Sequence, residues 1–236
     1  ARTWLVLLQN PAEARGSGGF VGGYAVITAD RGRLRIAEVG SSAELNRTRI
    51  PIEAASEDAR IMWGDYLTGW NDFNLSPDFP LTARLAVAGM KARGVDVDGV
   101  VAIDLQVVAA IMAVTGPVQV DGVDVTAQNV ARFFLVDEYL DFPDGAERDR
   151  VTMDVVRTVL QRAVSSTPDP RALADALREP VEQGRLRAWS ADPSQERWLA
   201  GTAAGGVLPN DPGPVVAVTF NNSAANKLDA FVATAV

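Results

Sequence analysis

Val97-Asp98-Gly99-Val100-Val101-Ala102-Ile103-Asp104 runs through an apolar segment into Thr115-Gly116-Pro117-Val118-Gln119-Val120, and this stretch decides the fold class. Val97–Ile103 reads as a buried strand. Asp104 stands at the N-cap of a helix that continues to about Val114, where Thr115-Gly116-Pro117 ends it. A short strand over Val118–Val120 follows. Strand, helix and strand in succession have the rhythm of an α/β domain.

Moving toward the N-terminus, two apolar runs, Trp4–Leu8 and Tyr24–Thr28, flank Gln9-Asn10-Pro11-Ala12-Glu13-Ala14-Arg15-Gly16-Ser17-Gly18-Gly19-Phe20-Val21-Gly22-Gly23. The pattern predicts strand, Gly-rich loop, strand. Such a loop either shapes a long hairpin turn or brings backbone N–H groups close to a ligand, since glycine lacks the Cβ barrier to unusual dihedrals. Asp30-Arg31-Gly32 predicts a hairpin turn into a strand over Arg33–Val39. Ser41–Glu53 reads as irregular, and Ser56-Glu57-Asp58 opens a short helix to about Tyr66. The segment from Leu67 to Pro80 is too polar and Pro-rich for a regular element, yet it holds Trp70, Phe73 and Phe79. It is read as a packed-down or pocket-lining loop whose Asp72, Asn74 and Asp78 are harder to assign to packing. Pro80–Gly94 has the spacing of an amphipathic helix.

Toward the C-terminus, a helix is expected from Thr126 through Phe133, Phe134 and Tyr139, and another from the recurrence of Val151, Val155, Val159 and Ala163. Arg148 and Arg150 then fall at a helix N-terminus, where the dipole and two guanidinium groups favour an anion such as pyrophosphate, unless Glu147 and Asp149 neutralise them. Pro168–Gln195 reads as short helices, with Ser194 capping the next. Val215–Phe220 reads as a last buried strand, leading into a polar edge loop around Lys227.

Composition narrows the function. With 236 residues and 47% hydrophobic content the chain fits one domain with a substantial core. A net charge of −8 argues against a general nucleic-acid binder. Cys and His are both absent, which removes disulfides, thiolate chemistry, Ser-His-Asp hydrolysis and most zinc sites. Any catalysis would rest on carboxylates, arginines and a divalent metal. Lys91 and Lys227 are the only lysines.

Taken together, four ordered motifs resemble a bacterial domain-of-unknown-function family, number 4012. They are Leu8-Gln9-Asn10…Glu13-Ala14-Arg15…Gly18-Gly19-Phe20; Asn74 through Pro80; Val97 through Asp104 with Thr115 through Val118; and Asn222 with Lys227-Leu228-Asp229. The middle section is also similar to the LytR-CpsA-Psr family of cell-wall glycopolymer phosphotransferases. That resemblance implies a three-layer α/β/α sandwich with a mixed central sheet, forming one domain over 1–236 of a longer, membrane-anchored extracytoplasmic protein. It implies a polyprenyl-pyrophosphate-linked or phosphorylated glycan as ligand and a cell-wall polymer as acceptor. Arg15, Arg148 and Arg150 would grip the diphosphate. Asp72 and Asp78 would hold Mg²⁺ or act as base, with Glu13 a further catalytic carboxylate. Asn10, Gly18, Gly19, Asn74 and Lys227 would complete the ligand site. The phosphotransferases carry an Arg-Ser-Asp-Thr-like motif at the second strand, where this chain has Gly18-Gly19-Phe20, so their metal-holding Asp has no counterpart on that strand. A non-catalytic glycan- or protein-binding scaffold of the cell envelope is the alternative.

Overall fold

The two N-terminal strands extend well past their apolar runs. β1 (Arg2–Arg15) pairs antiparallel with β2 (Gly18–Asp30), and only Gly16 and Ser17 turn between them. The segment expected to be a loop is therefore strand. Its glycines hide the period-2 pattern, and the ladder occupies most of the backbone groups that a ligand loop would leave free. Register slips between Leu8 and Gln9, and again between Asn10 and Ala14. The second slip has a chemical cause: Pro11 has no N–H to give the ladder, and Asn10 Oδ1 instead accepts the Ala12 N–H at 3.0 Å.

The computed structural model describes residues 1–166, 168–209, 216, 218–224 and 226–231. After β2, the chain turns at Arg31-Gly32 into β3 (Arg33–Ser41), then passes through α1 (Ser42–Leu45) and α2 (Glu57–Trp63) to α3 (Phe79–Ala92). The strand-helix-strand stretch appears as β4 (Gly99–Ile103), α4 (Leu105–Thr115) and β5 (Val118–Val120), with β6 (Val123–Val125) closing a separate small hairpin. Next come α5 (Val130–Arg132), a π-helical turn over Phe133–Asp137, and α6 (Glu138–Asp141). The long α7 (Gly145–Ser165) is followed by α8 (Pro170–Glu182), β7 (Leu186–Ser190) and α9 (Pro193–Ala200). Pro168–Gln195 is thus not helical throughout. The five residues of β7 alternate too weakly for their pattern to show, and they become strand by pairing with β4. The cap of α9 is Asp192, whose side chain accepts the Ser194 and Gln195 N–H groups, with Pro193 as the first helical residue. Of the expected last strand, Val215 and Ala217 lie outside the described residues. Val216, Val218, Thr219 and Phe220 are exposed and belong to no strand.

The central sheet has the order β3-β2-β1-β4-β7 and is mixed: β1 and β4 are parallel, the other pairs antiparallel. Alternation along each strand divides its side chains between two layers. Leu5, Leu7, Val100 and Ala102 face a core with Trp70, Phe73, Phe79, Leu85 and Met90. Val6, Val101 and Ile103 face the opposite way, toward Val107 of α4 and Leu160 of α7. The result is a three-layer α/β/α sandwich. The aromatic segment is packed down, as its composition suggests: Trp70 and Phe73 meet edge to face at 5.2 Å, and the Trp70 indole N–H reaches the Thr48 carbonyl at 2.9 Å.

Candidate functional site

Three motifs far apart in sequence meet at the tip of the β1–β2 hairpin. Asn74 is fully buried; its Nδ2 donates to the Gly19 carbonyl at 2.9 Å, and its carbonyl accepts the Ser17 N–H at 3.2 Å. Arg15 is buried as well. Its guanidinium donates to the Asn222 carbonyl at 2.9 Å, pairs with Asp72 Oδ1 at 3.1 Å and stacks on Phe20. From the other end of the chain, Asp229 Oδ2 accepts both the Ala14 N–H and Asn222 Nδ2 at 2.8 Å, while Asn221 Oδ1 accepts the Gly16 N–H at 2.8 Å. Gly18 has φ +131, and a Cβ on Gly19 would come within 2.6 Å of Pro11 N. Arg15, Gly18, Gly19 and Asn74 therefore fasten the tip together instead of presenting themselves to a ligand. Signature residues can be fixed by packing as firmly as by chemistry, and here the packing is visible.

Next to this knot, a pocket of about 160 Å³ opens between the sheet and the helical layer. Its walls are apolar: Leu8 and Ile103 from the sheet, Val108 from α4, Val156 and Leu160 from α7, and Phe134 from the π-helical turn. Its polar groups are Gln9, Asn10, Asp104, Glu138, Thr152 and Lys227. Lys227 Nζ donates to the Phe134 carbonyl at 3.2 Å, lies 3.4 Å from Glu138 Oε1, and sits 4.4 Å from the centre of the Tyr139 ring. Glu138 is buried and also accepts Thr152 Oγ1 at 2.8 Å. A π-turn widens the helix and loosens its carbonyls from the usual ladder, consistent with Phe134 having an acceptor to offer Lys227. On the same Tyr139 ring lies Arg148, its Cζ 4.6 Å from the centre. Two cations thus share one aromatic ring, and one of them lines the pocket. Glu13, carried on the bulge, lies within electrostatic reach of Lys227, Arg15 and Asp229; burial pushes its carboxyl pKa up further than the two cations pull it down.

The remaining expected residues are elsewhere. Asp78 caps α3, its side chain accepting the Leu81 N–H at 3.3 Å. Arg150 is exposed and paired with Asp121 at 2.7 Å and Asp154 at 3.3 Å, so it does not join Arg15 in gripping one anion. Asp72 and Asp78 each have one oxygen engaged, Asp72 Oδ1 by Arg15 and Asp78 Oδ2 by the α3 cap. Among the described residues no group of three or more carboxylates could hold a metal ion. Residues that sequence reasoning missed are Gln9, Asp104, Glu138, Tyr139 and Thr152. The available signal was Glu138, the second of two acids (Asp137-Glu138) set between the apolar run Phe133–Val136 and Tyr139-Leu140. Asp104 was read only as a cap. It caps α4 through Oδ1, and its other oxygen meets Arg185 at 2.8 Å.

A mixed-sheet α/β/α domain with an apolar pocket edged by a Lys227–Glu138 ion pair is the class of protein that fold and site define. Residues 1–139 match the family described as Protein of unknown function (DUF4012), and the chain belongs to that family. No protein of curated function matches it by sequence. Among solved structures it is similar to the transcriptional regulator yvhJ from Bacillus subtilis, at 8% identity over 87% of this chain and 79% of that one, with a TM-score of 0.39. Lin1025 from Listeria innocua shares 11% identity over 87% and 78%, TM-score 0.38. Protein gbs0355 from Streptococcus agalactiae shares 12% over 86% and 73%, TM-score 0.43. No helix among the described residues is long and apolar enough to cross a membrane.

Proposed function

We propose that this domain binds a polyprenyl-phosphate-linked glycan of the cell envelope, on the extracytoplasmic side, as a relative of the LytR-CpsA-Psr phosphotransferases. The carrying observation is the apolar pocket between sheet and α7 with Lys227 at its mouth. Isoprenoid carbons gain by leaving water for such a pocket, and a phosphate gains from the part-buried Lys227 ammonium, in exchange for its contact with Glu138, with the Arg148 guanidinium on the same Tyr139 ring. At about 160 Å³ the pocket is comparable to a cavity that holds one benzene. It accepts about one isoprene-sized unit as it stands, and a longer chain requires α7 to move off the sheet.

The reading is of binding without metal-dependent transfer, because each carboxylate expected to hold Mg²⁺ already spends one oxygen elsewhere, on Arg15 and on the α3 cap. A cell-wall acceptor and a membrane tether belong to the same proposal through the resemblance, not through any contact in the fold. The test is thermal unfolding with farnesyl phosphate, farnesol and inorganic pyrophosphate, each with and without Mg²⁺. A ligand that binds only the folded protein raises the melting temperature. Farnesyl phosphate should raise it most, without need of Mg²⁺, and Lys227→Met should remove most of the rise. An unchanged melting temperature with farnesyl phosphate, or an undiminished rise in Lys227→Met, would overturn the reading. A rise seen only with Mg²⁺ would restore the transferase.

A further inference from the structure

A second concavity lies away from the apolar pocket, on the layer that carries α2 and the aromatic segment. It is a shallow cleft of about 380 Å³ lined by Arg49, Trp63, Gly64, Asp65, Tyr66, Gly69 and Asp72. Its composition is unlike that of an ordinary surface dent. Trp63 is anchored by packing against the core, whereas Tyr66 is 65% exposed. Exposed aromatics carry a solvation penalty that is recovered when a ligand covers the ring. Gly64 has φ +53 and open space where a Cβ would stand, so it lines the cleft with bare backbone.

Two of the three charged side chains of the cleft, Asp72 and Arg49, are held from behind. Asp72 Oδ1 is fixed at 3.1 Å by Arg15, itself buried in the hairpin-tip knot. Arg49 is hydrogen-bonded to the buried Thr68, whose hydroxyl in turn donates to the Asp65 carbonyl at 2.7 Å. Side chains positioned in this way lose little freedom when they bind.

We infer that the cleft formed by Trp63, Tyr66, Arg49, Asp65 and Asp72 is a binding subsite for a neutral sugar ring. Aromatic faces match the C–H faces of a pyranose; carboxylates accept from its hydroxyls, and a guanidinium donates to them. A highly charged ligand fits less well, because the cleft's charges cancel: Asp72 is paired with Arg15, and Asp65 stands with Arg49. The volume is in the range of small-ligand sites. This inference deepens the proposed function, on which it rests for the choice of a glycan. It adds that the sugar is read on the α2 side by residues separate from those of the lipid pocket.

The test is a titration of the intact domain with chitotetraose, cellotetraose and β-1,4-galactotetraose, followed by tryptophan fluorescence and by calorimetry. At least one sugar should give a saturable response below about 10 mM. Tyr66→Ala and Asp65→Asn, both at exposed positions, should weaken it at least tenfold while leaving the melting temperature unchanged. Trp63→Phe should abolish the optical change but keep the heat of binding. Absence of a saturable response to all three sugars would overturn the inference, and so would undiminished binding in Tyr66→Ala. Failure here is distinct from failure of the lipid reading, because farnesyl phosphate and Lys227→Met probe the other pocket. Loss of the farnesyl phosphate response alone would leave the sugar subsite standing.

Discussion

Replacing Gly16 by Ala tests the hairpin-tip knot with one methyl group. An ideal Cβ on Gly16 would lie 2.8 Å from the carbonyl carbons of both Leu75 and Ser76, and closer still to the Leu75 oxygen. These are backbone atoms, so no side-chain rotation relieves the overlap; either the tip or the 74–76 segment must withdraw. Overpacking of this kind costs about 1–3 kcal/mol. Withdrawal also weakens the Ser17–Asn74 and Gly16–Asn221 hydrogen bonds, each worth about 1 kcal/mol. With both bonds lost, the total of about 3–5 kcal/mol corresponds to a fall in melting temperature of roughly 6–20 °C for a domain of this size. Gly22→Ala is the internal control. It adds the same atom in the same hairpin, but nothing lies within 4 Å of its Cβ, so the change should fall within about 0.5 kcal/mol. Scanning calorimetry of the two variants decides the matter. A Gly16→Ala protein melting within 2 °C of wild type, an interval of about 1 kcal/mol or less, would refute the reasoning.

Two further predictions concern charge. Burial raises the Glu13 carboxyl pKa from its ordinary 4.5, so the folded protein holds that proton more tightly than the unfolded chain does. The associated stability is full at acid pH and is lost as pH rises through the folded-state pKa. Glu13→Gln, neutral throughout, should therefore melt above wild type at pH 7 and converge with it near pH 4; an equal offset at both values would exclude this account. Asp104→Ala removes the cap of α4 and the partner of Arg185. Because Arg185 is partly solvated, the loss should be about 2 kcal/mol, measurable by urea unfolding with an unchanged m-value.

The strand-helix-strand core of the fold was legible in Val97–Val120 because every local signal there agreed: an apolar run, an Asp cap and a Gly-Pro stop. The aromatic segment was equally legible as packed down. The hairpin was not, since glycines at 16, 18, 19, 22 and 23 suggest a loop by composition, while Gly18, Gly19, Gly22 and Gly23 are strand and Gly16 lies in the two-residue turn; Gly16 and Gly19 are needed for close approach to Leu75 and Asn10. Arg15 illustrates a deeper limit. Its residue type suggests anion binding, but its burial and pairing with Asp72 are set by chain segments 57 residues away and more. Lys227 stood out as one of two lysines, and the resemblance put it in the ligand site. Its place at the pocket follows from the path of the C-terminal segment to α6, which no local pattern records. Arg148 and Arg150 were correctly placed on the first turns of α7, yet they point to different partners.

The knot at the hairpin tip also constrains how the molecule comes into being. β1 and β2 are neighbours in sequence and can pair early, but the Gly16–Asn221 and Ala14–Asp229 contacts span 205 and 215 residues. Closing so large a loop is entropically uphill until most of the chain between is already ordered. The tip contacts therefore gain most by forming once the sheet and its two layers have shortened the loop. Because Lys227 travels with that sealing segment, the mouth of the pocket is assembled last. A molecule that has formed its core but not this final contact would carry the apolar walls without the ammonium at their edge, so ligand competence arrives as a separate and later event than folding of the sandwich.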